Sequence, residues 1–201
     1  YPVAVMRDQE SNDIVACYGG WTRCESVPFD VSLGMARSTD GGVTFKKYGR
    51  GPVLGHTPDE PFVVTSPKLR RYNGTWYLAY TAGRRWFFDN GRAEIIYKIR
   101  MATSPDGTTW TRLNRDLLAD KIDEDEAQAC PDIIERNGTY HMFFCYRAAT
   151  DFRANKDRAY RIGYARSTDM IHWSRDDTKA GIDISPDGWD SLMVAYPTVF
   201  E

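Results

Sequence analysis

The hydrophobic pattern near the C-terminal end of the chain predicts four consecutive strands. An apolar run at 131–136 leads into an Asn-Gly pair at 137–138, which is the strongest two-residue signal for a β-hairpin. A second apolar run returns over 139–147, a third covers 160–167, and a fourth begins at 172–175. This stretch therefore predicts an antiparallel unit that contains strands and no helix.

The same pattern recurs along the chain with a period of 63 to 66 residues. Three landmarks keep this period: a proline that opens an apolar run, a Ser-x-Asp that follows a strand, and an aromatic residue just beyond it. We interpret the Ser-x-Asp as a turn that closes the outer hairpin of each copy. The prolines are Pro2, Pro67, Pro131 and Pro197, the serine–aspartate pairs are Ser38/Asp40, Ser104/Asp106 and Ser167/Asp169, and the aromatic residues are Phe45, Trp110 and Trp173.

Units that contain only strands and that repeat in series are typical of β-propellers. The landmarks predict three blades at about 1–59, 60–124 and 125–189, and 190–201 is expected to begin the next blade with a strand over 196–201. Because a propeller needs at least four blades, we expect the missing blades to come from further chain before and after these residues.

The recurring proline predicts an edge strand in each copy. With the Asn-Gly pair as the turn, Pro131 faces Phe144 at a site that donates no ladder hydrogen bond, and Pro67 occupies the same kind of site. In a propeller the innermost strand, which lines the central channel, is such an edge. The same register places Cys130 opposite Cys145, which we interpret as two reduced core thiols.

Composition and charge narrow the function classes. The 201 residues are 42% hydrophobic with a net charge of −2, which argues against nucleic acid or an anionic membrane as the main partner. No apolar run approaches the ~18 residues of a membrane helix. The four cysteines form no CxxC pair and the three histidines are scattered, so neither a disulfide scaffold, a structural zinc site nor another cofactor is expected.

Several segments resemble a known group of enzymes. EPFVVTSP, ACPDIIERNGTYHMFFCYR, YRIGYARSTD and GWDSLMVAYPTVFE are similar to the five-bladed propellers of glycoside hydrolase families 43, 32 and 130. They look most like a glycosidase-like branch that is often found among polysaccharide-biosynthesis genes. The resemblance implies an all-β five-bladed propeller of about 325 residues. It also implies a carbohydrate ligand in the funnel at the propeller axis. Family 32 has a general-acid glutamate where this chain has Ala129.

Carboxylates recur just before the inner-strand prolines. Glu60, Asp125 and Asp190 stand seven, six and seven positions before Pro67, Pro131 and Pro197, respectively, and Glu126 is the alternative in the middle copy. Glycoside hydrolysis needs two carboxyl groups on opposite sides of one bond. We therefore predict that these acids face one shared depression near the axis. The alternative for the acidic run at 123–126 is a solvated loop.

Aromatic and arginine side chains follow the second strand of each copy. Flat rings stack on sugar faces, and guanidinium groups bind carboxylate or phosphate through paired hydrogen bonds. Packing between blades is the alternative explanation. The predicted substrate-binding residues are Trp21 and Arg23 in the first copy, Arg84, Arg85 and Trp86 in the second, and Arg147 in the third.

The leading functional prediction is a glycoside hydrolase that uses carboxylate acid–base chemistry. One alternative is a phosphorylase in which phosphate replaces one carboxylate and is held by Arg84, Arg85 and Arg147. The other is a sugar-binding propeller without catalytic activity. The expected partners are a carbohydrate and the remaining propeller blades, with neither nucleic acid nor membrane. The sugar, the linkage and the cellular compartment stay open.

Overall fold

The computed structural model describes residues 3–122 and 125–200, which form three four-stranded antiparallel sheets. Each sheet takes its strands in chain order, so every connection within a sheet joins neighbouring antiparallel strands. The only helix within these residues is the 3₁₀ turn Asp177–Lys179. The strands are β1 (Val3–Arg7), β2 (Ile14–Thr22), β3 (Asp30–Ser38), β4 (Lys46–Lys47), β5 (Val64–Tyr72), β6 (Thr75–Asp89), β7 (Arg92–Ser104), β8 (Thr111–Arg112), β9 (Ala127–Arg136), β10 (Thr139–Arg147), β11 (Arg161–Ser167) and β12 (Ser174–Arg175).

The Asn-Gly pairs form the hairpin turns that the sequence predicts. Asn73 and Gly74 join β5 to β6, and Asn137 and Gly138 join β9 to β10. All four residues have positive φ angles between 49° and 78°, as a two-residue turn with the twist of the flanking strands requires. The four-stranded pattern of each copy is confirmed.

Pro67 and Pro131 lie on edge strands, as predicted, but they sit in β-bulges, and Pro2 lies outside the described residues. In the third sheet the predicted register holds from the turn as far as Phe143, and then Cys145 pairs with Ala129. Cys130 and Pro131 therefore oppose the single residue Phe144. Proline has no N–H to donate to the ladder. The bulge accommodates it for the same reason as the non-hydrogen-bonded site of the predicted register.

The predicted pairing of Cys130 with Cys145 is therefore wrong, because the bulge shifts the register by one residue. The Cys145 thiol instead donates to the carbonyl of Ala129 at 3.3 Å. All four cysteines of the chain lie in the described part, and no disulfide joins them.

The residue before Pro67, Pro131 and Pro197 has a left-handed backbone. The φ angles are 50° at Ser66, 52° at Cys130 and 61° at Tyr196. This conformation is uncommon for residues other than glycine, and a following proline restricts the backbone further. Three copies of one strained position show that the bulge belongs to the repeat itself.

The Ser-x-Asp segments are turns, as predicted. Asp106 Oδ1 accepts hydrogen bonds from the Ser104 hydroxyl and from the backbone N–H groups of Thr108 and Thr109, at 2.7–2.9 Å. These bonds hold the pKa of Asp106 well below its usual range, and the pKa values of Asp40 and Asp169 are lowered in the same way.

The chain divides into two compact units, one formed by residues 1–83 and 100–115 and the other by 84–99 and 116–201. The core of the first unit contains Leu33, Leu54, Leu69, Leu78 and Trp76, all at most 2% exposed. The core of the second unit includes Phe152, Tyr160, Ile162 and Cys145.

Residues 190–200 contain no strand, so the predicted opening strand of a further blade is not formed in the described part of that segment. Tyr196, before Pro197, repeats the positive φ angle of Ser66 and Cys130. Among the described residues, however, no strand pairs with this segment. The backbone N–H of Val199 donates to Asp132 Oδ2 at 3.0 Å instead. Within residues 3–122 and 125–200, no helix is long and apolar enough to cross a membrane.

Candidate functional site

The predicted site residues gather at one end of each sheet, which we call the loop end. It is the end at which β2 passes to β3, β6 to β7 and β10 to β11, and at which β5 and β9 begin. Of the predicted carboxylates, Glu60 belongs to the first unit, and Asp125, Glu126 and Asp190 belong to the second. Their meeting in one shared depression stays a prediction.

Glu60 is completely buried in the first unit, where three side chains occupy its carboxylate. The Tyr80 hydroxyl donates to Oε1 at 2.7 Å, and Arg100 donates to the same oxygen at 3.1 Å. Arg112 donates from Nε to Oε2 at 2.9 Å. Burial and the neighbouring Glu60 raise the pKa of Tyr80, so this phenol stays protonated as a donor. The cluster leaves no space around Glu60 for a sugar oxygen.

The same cluster fixes the connection that precedes β5. Arg112 also donates from Nη2 to the carbonyl of Gly55 at 2.6 Å. The backbone N–H and carbonyl groups of Thr57 and Glu60 bond to each other at 3.0 and 3.1 Å, which closes a tight turn. Glu60 therefore positions the connection between β4 and β5.

Glu126 is the corresponding buried carboxylate of the second unit. Oε2 accepts from the backbone N–H groups of Lys121 and Ile122 at 3.0 and 3.1 Å. Oε1 accepts from Gln128 at 3.0 Å and from Arg175 at 2.6 Å. Every oxygen of Glu126 is thus occupied by protein donors.

Arg112 and Arg175 occupy equivalent positions on the short outermost strands β8 and β12. Arg112 pairs with Ala102 across the ladder, and Arg175 pairs with Ala165. In the first sheet the same position is Lys47, opposite Ala36. Sequence reasoning missed these partners, although each arginine follows the aspartate of a Ser-x-Asp by the same interval.

Asp125 lies closer to solvent and contacts Arg85. The side chains are 50% and 47% exposed, respectively. Arg84 forms a two-oxygen ion pair with Asp116 at 2.7 Å. Arg84 and Arg85, which were both predicted to bind a ligand, therefore have carboxylate partners within the second unit.

Asp190 has the least occupied carboxylate of the four. Its Oδ2 accepts from the Ser185 hydroxyl at 3.0 Å, and no other hydrogen bond or ion pair of its side chain occurs in the described residues. The preceding residue, Trp189, is 97% exposed. An exposed ring and a half-buried carboxylate thus follow each other in the segment after β12.

Arg147 is 1% exposed and holds the loop between β10 and β11 from inside. It donates to the carbonyls of Ala148, Ala149 and Ile95 at 2.8–3.1 Å, and its guanidinium lies 3.8 Å from the centre of the Phe152 ring. These contacts support a positioning role, and direct contact of Arg147 with a ligand stays a prediction.

Two tyrosines complete this cluster. The Tyr97 and Tyr160 hydroxyls are hydrogen-bonded to each other, and Arg147 Nε donates to Tyr160 at 3.2 Å. Burial raises the pKa of both phenols, so they stay neutral at physiological pH. The positive charge of Arg147 therefore faces neutral hydroxyls, carbonyl oxygens and aromatic ring faces.

Trp21 and Arg23 lie at the loop end of the first sheet. The Trp21 ring is 43% exposed, stacks on Phe29 at 6.1 Å between ring centres, and has the Arg23 guanidinium 5.9 Å from its centre. Trp86, on the extended part of β6, is half-buried. The exposed face of Trp21 has the character of a sugar-stacking surface.

His56 and Asp30 form a pair at the loop end that the sequence pattern did not indicate, because neither residue recurs between copies. His56 Nε2 lies 2.9 Å from Asp30 Oδ1. Across residues 3–122 and 125–200, no group of three or more histidine, cysteine, aspartate or glutamate residues is arranged to hold a metal ion.

Comparison with known proteins supports the resemblance seen in the sequence. No family model matches the chain. It is 34% identical over 185 residues to an uncharacterized protein of Mycobacterium tuberculosis, covering 92% of this chain and 58% of that protein. It is 27% identical over 121 residues to a beta-1,2-mannobiose phosphorylase of a Thermoanaerobacter species, covering 59% of this chain and 35% of the relative. The chain thus spans little more than half the length of the first of these relatives.

Solved structures with the same fold have low sequence identity. A glycoside hydrolase superposes with a TM-score of 0.68 at 19% identity, covering 91% of this chain and 54% of that protein. A family 117 glycoside hydrolase of Zobellia galactanivorans gives 0.65 at 17% identity, with 89% and 55% covered. A thermostable family 43 glycoside hydrolase gives 0.60 at 18%, with 90% and 54% covered. The chain therefore shares its fold with β-propeller glycoside hydrolases, among them enzymes of families 43, 32 and 117.

Proposed function

We propose that this protein is carbohydrate-active and that it contributes part of a glycoside hydrolase site at the loop end of its sheets. The shared fold and the related phosphorylase support a glycan as the ligand. The observation that carries the proposal is the pair formed by Trp189 and Asp190. An exposed aromatic ring precedes a carboxylate that, within the described residues, forms no ion pair and accepts one hydrogen bond, from Ser185.

The chemistry follows from what each carboxylate is free to do. Glu60 and Glu126 are enclosed by donors and serve to position their loops. Asp190 is half-buried and accepts one hydrogen bond, from Ser185, and Asp125 is paired with the exposed Arg85. In a hydrolase one such group donates a proton to the leaving oxygen. The second either activates water from about 6.5 to 9.5 Å away or attacks the sugar itself from about 5 to 5.5 Å away. We assign Asp190 to one of these two roles, and Asp125 is the leading candidate for the other.

The experiment measures reducing sugar released by the full-length protein. Substrates are β-1,2-mannobiose, arabinobiose and sucrose, which are the sugars named with the related phosphorylase and with similar solved enzymes. Asp190→Asn is expected to lower the rate by at least about a hundredfold, as loss of general acid–base catalysis does. Asp187→Asn, three residues away in the same exposed segment, is the matched control and is expected to keep the wild-type rate.

A second candidate, a glycoside phosphorylase, is favoured by the similarity to the mannobiose phosphorylase. It predicts cleavage only when inorganic phosphate is present, with a sugar phosphate as product. The ion pairs of Arg84 and Arg85 would then have to open to receive phosphate. Binding without cleavage under both conditions would favour the non-catalytic sugar-binding alternative. Absence of both binding and cleavage for all three sugars would contradict the proposal.

A further inference from the structure

The loop between β4 and β5 carries a histidine that faces an aspartate at the first position of β3. His56 Nε2 and Asp30 Oδ1 are 2.9 Å apart, and the two side chains are 38% and 33% exposed. Asp30 forms the last ladder pair of β2 and β3, opposite Thr22. The pair therefore lies at the loop end and remains accessible to solvent.

The backbone just before His56 is anchored. Leu54 bonds with Leu33 through backbone groups at 2.9 Å, and both residues are buried in the core. Gly55 accepts from Arg112 at 2.6 Å, and Arg112 is held in turn by Glu60. Buried Glu60 thus fixes the position of the loop that presents His56 to Asp30.

The chemistry of the pair follows from this contact. A carboxylate beside Nε2 favours the tautomer with its proton on Nε2, which leaves Nδ1 as a hydrogen-bond acceptor. Within residues 3–122 and 125–200, neither side chain makes a further hydrogen bond or ion pair. Nδ1 of His56 and the second oxygen of Asp30 are therefore two acceptors on partly exposed side chains.

From this geometry we propose that His56 and Asp30 form a hydroxyl-recognition site for a neutral sugar ring. Two neighbouring acceptors fit a ligand that offers several hydroxyl donors. This inference rests on the proposed function and assigns to it two residues that contact substrate.

The first test is the tautomer of the histidine in the full-length protein. Nitrogen-15 NMR of the imidazole rings at neutral pH is expected to show His56 with its proton on Nε2. In Asp30→Asn that preference is expected to weaken. Nitrogen shifts that place the proton on Nδ1 in the wild type would overturn the inference, whatever the protein does with sugars.

The second test is the affinity for β-1,2-mannobiose and arabinobiose, measured by titration calorimetry. His56→Ala is expected to weaken the binding of whichever sugar the wild type binds by about tenfold, the equivalent of one hydrogen bond. His172→Ala is the matched control. His172 is also paired with an aspartate, Asp169 at 2.8 Å, but it lies at the Ser-x-Asp turn, at the opposite end of its sheet.

The outcomes separate this inference from the proposed function. Wild-type affinity in His56→Ala would overturn the inference alone and leave the proposed function standing. Loss of affinity in His56→Ala but not in His172→Ala supports both. If the wild type binds neither these two sugars nor sucrose, the proposed function fails and the inference fails with it.

Discussion

Arg112 and Glu60 form a buried ion pair across 52 residues of sequence, with Nε and Oε2 2.9 Å apart. Arg112 lies on the outermost strand of the second sheet, and Glu60 precedes the innermost strand of the same sheet. In the third sheet Arg175 and Glu126 repeat the relationship across 49 residues. Glu60 and Glu126, which were predicted as site residues, therefore each link the outermost strand of a sheet to the segment before its innermost strand.

Glu60→Gln is expected to destabilise the protein strongly, because it removes the buried negative charge that faces buried Arg100 and partly buried Arg112. Breaking a buried pair by removing one partner costs about 3–5 kcal/mol of unfolding free energy. Urea denaturation followed by tryptophan fluorescence measures this loss. Asp125→Asn, which removes a half-exposed pair, is the control and should cost about 1 kcal/mol or less. Equal stability of the two variants would contradict a structural role for Glu60.

Arg147→Lys is expected to destabilise the protein by about 3 kcal/mol, since a lysine cannot reach three carbonyls and Tyr160 from one planar group. Hydrogen exchange should show faster opening of residues 148–160 in particular. Arg153→Lys is the matched control in the same loop, because Arg153 contacts Glu94 from a side chain that is 53% exposed. Unchanged exchange in the Arg147 variant would contradict its positioning role.

Gly163→Ala is expected to lower stability by about 1–3 kcal/mol through overpacking. A Cβ atom at this position would collide with the ring of Phe144, its ladder partner on β10. Gly20→Ala is the control, because its Cβ would meet only the Ser32 carbonyl at an ordinary 3.6 Å. Thermal unfolding compares the two, and Phe144→Leu in the Gly163→Ala background should recover part of the loss. No recovery would mean that the ring is not the obstacle.

Asp106→Asn is expected to destabilise the protein at neutral pH and to become harmless in acid. The hydrogen bonds from Ser104, Thr108 and Thr109 lower the pKa of Asp106 below its usual value of about 4. The ionised carboxylate therefore stabilises the fold above about pH 4, and this contribution is lost as the pH falls through the lower folded pKa.

The measurement is the unfolding free energy of both proteins from pH 7 to pH 2. The difference between them should be constant near neutrality and shrink below about pH 4. Ser104→Ala removes one of the donors and should give a smaller effect with the same pH dependence. A difference that stays constant down to pH 2 would argue against an ionised Asp106 as the stabilising group.

Local rules predicted the strands and their turns well. The Asn-Gly pairs, the Ser-x-Asp turns and the edge position of Pro67 and Pro131 all follow from backbone chemistry within a few residues. The register beyond Phe143 did not follow, because the bulge depends on a left-handed Cys130 that no local preference of cysteine predicts.

The position of the candidate site stays a prediction. Spacing from the prolines selected Glu60 and Glu126, and the structure shows both carboxylates bonded to protein donors, which the spacing did not indicate. Their partners Arg112 and Arg175 lie about 50 residues further along the chain, so local sequence could not reveal the pairing. His56 and Asp30 meet only because the connection after β4 folds back over β3.

The long sequence separation of Glu60 and Arg112 has a kinetic consequence. The pair closes only after all four strands of its sheet are in place, so it is expected to be absent from the transition state for folding. Loss of the pair in Glu60→Gln should then leave the refolding rate almost unchanged and speed unfolding instead. Through this one carboxylate, the lifetime of the native state depends on an outermost strand of two residues.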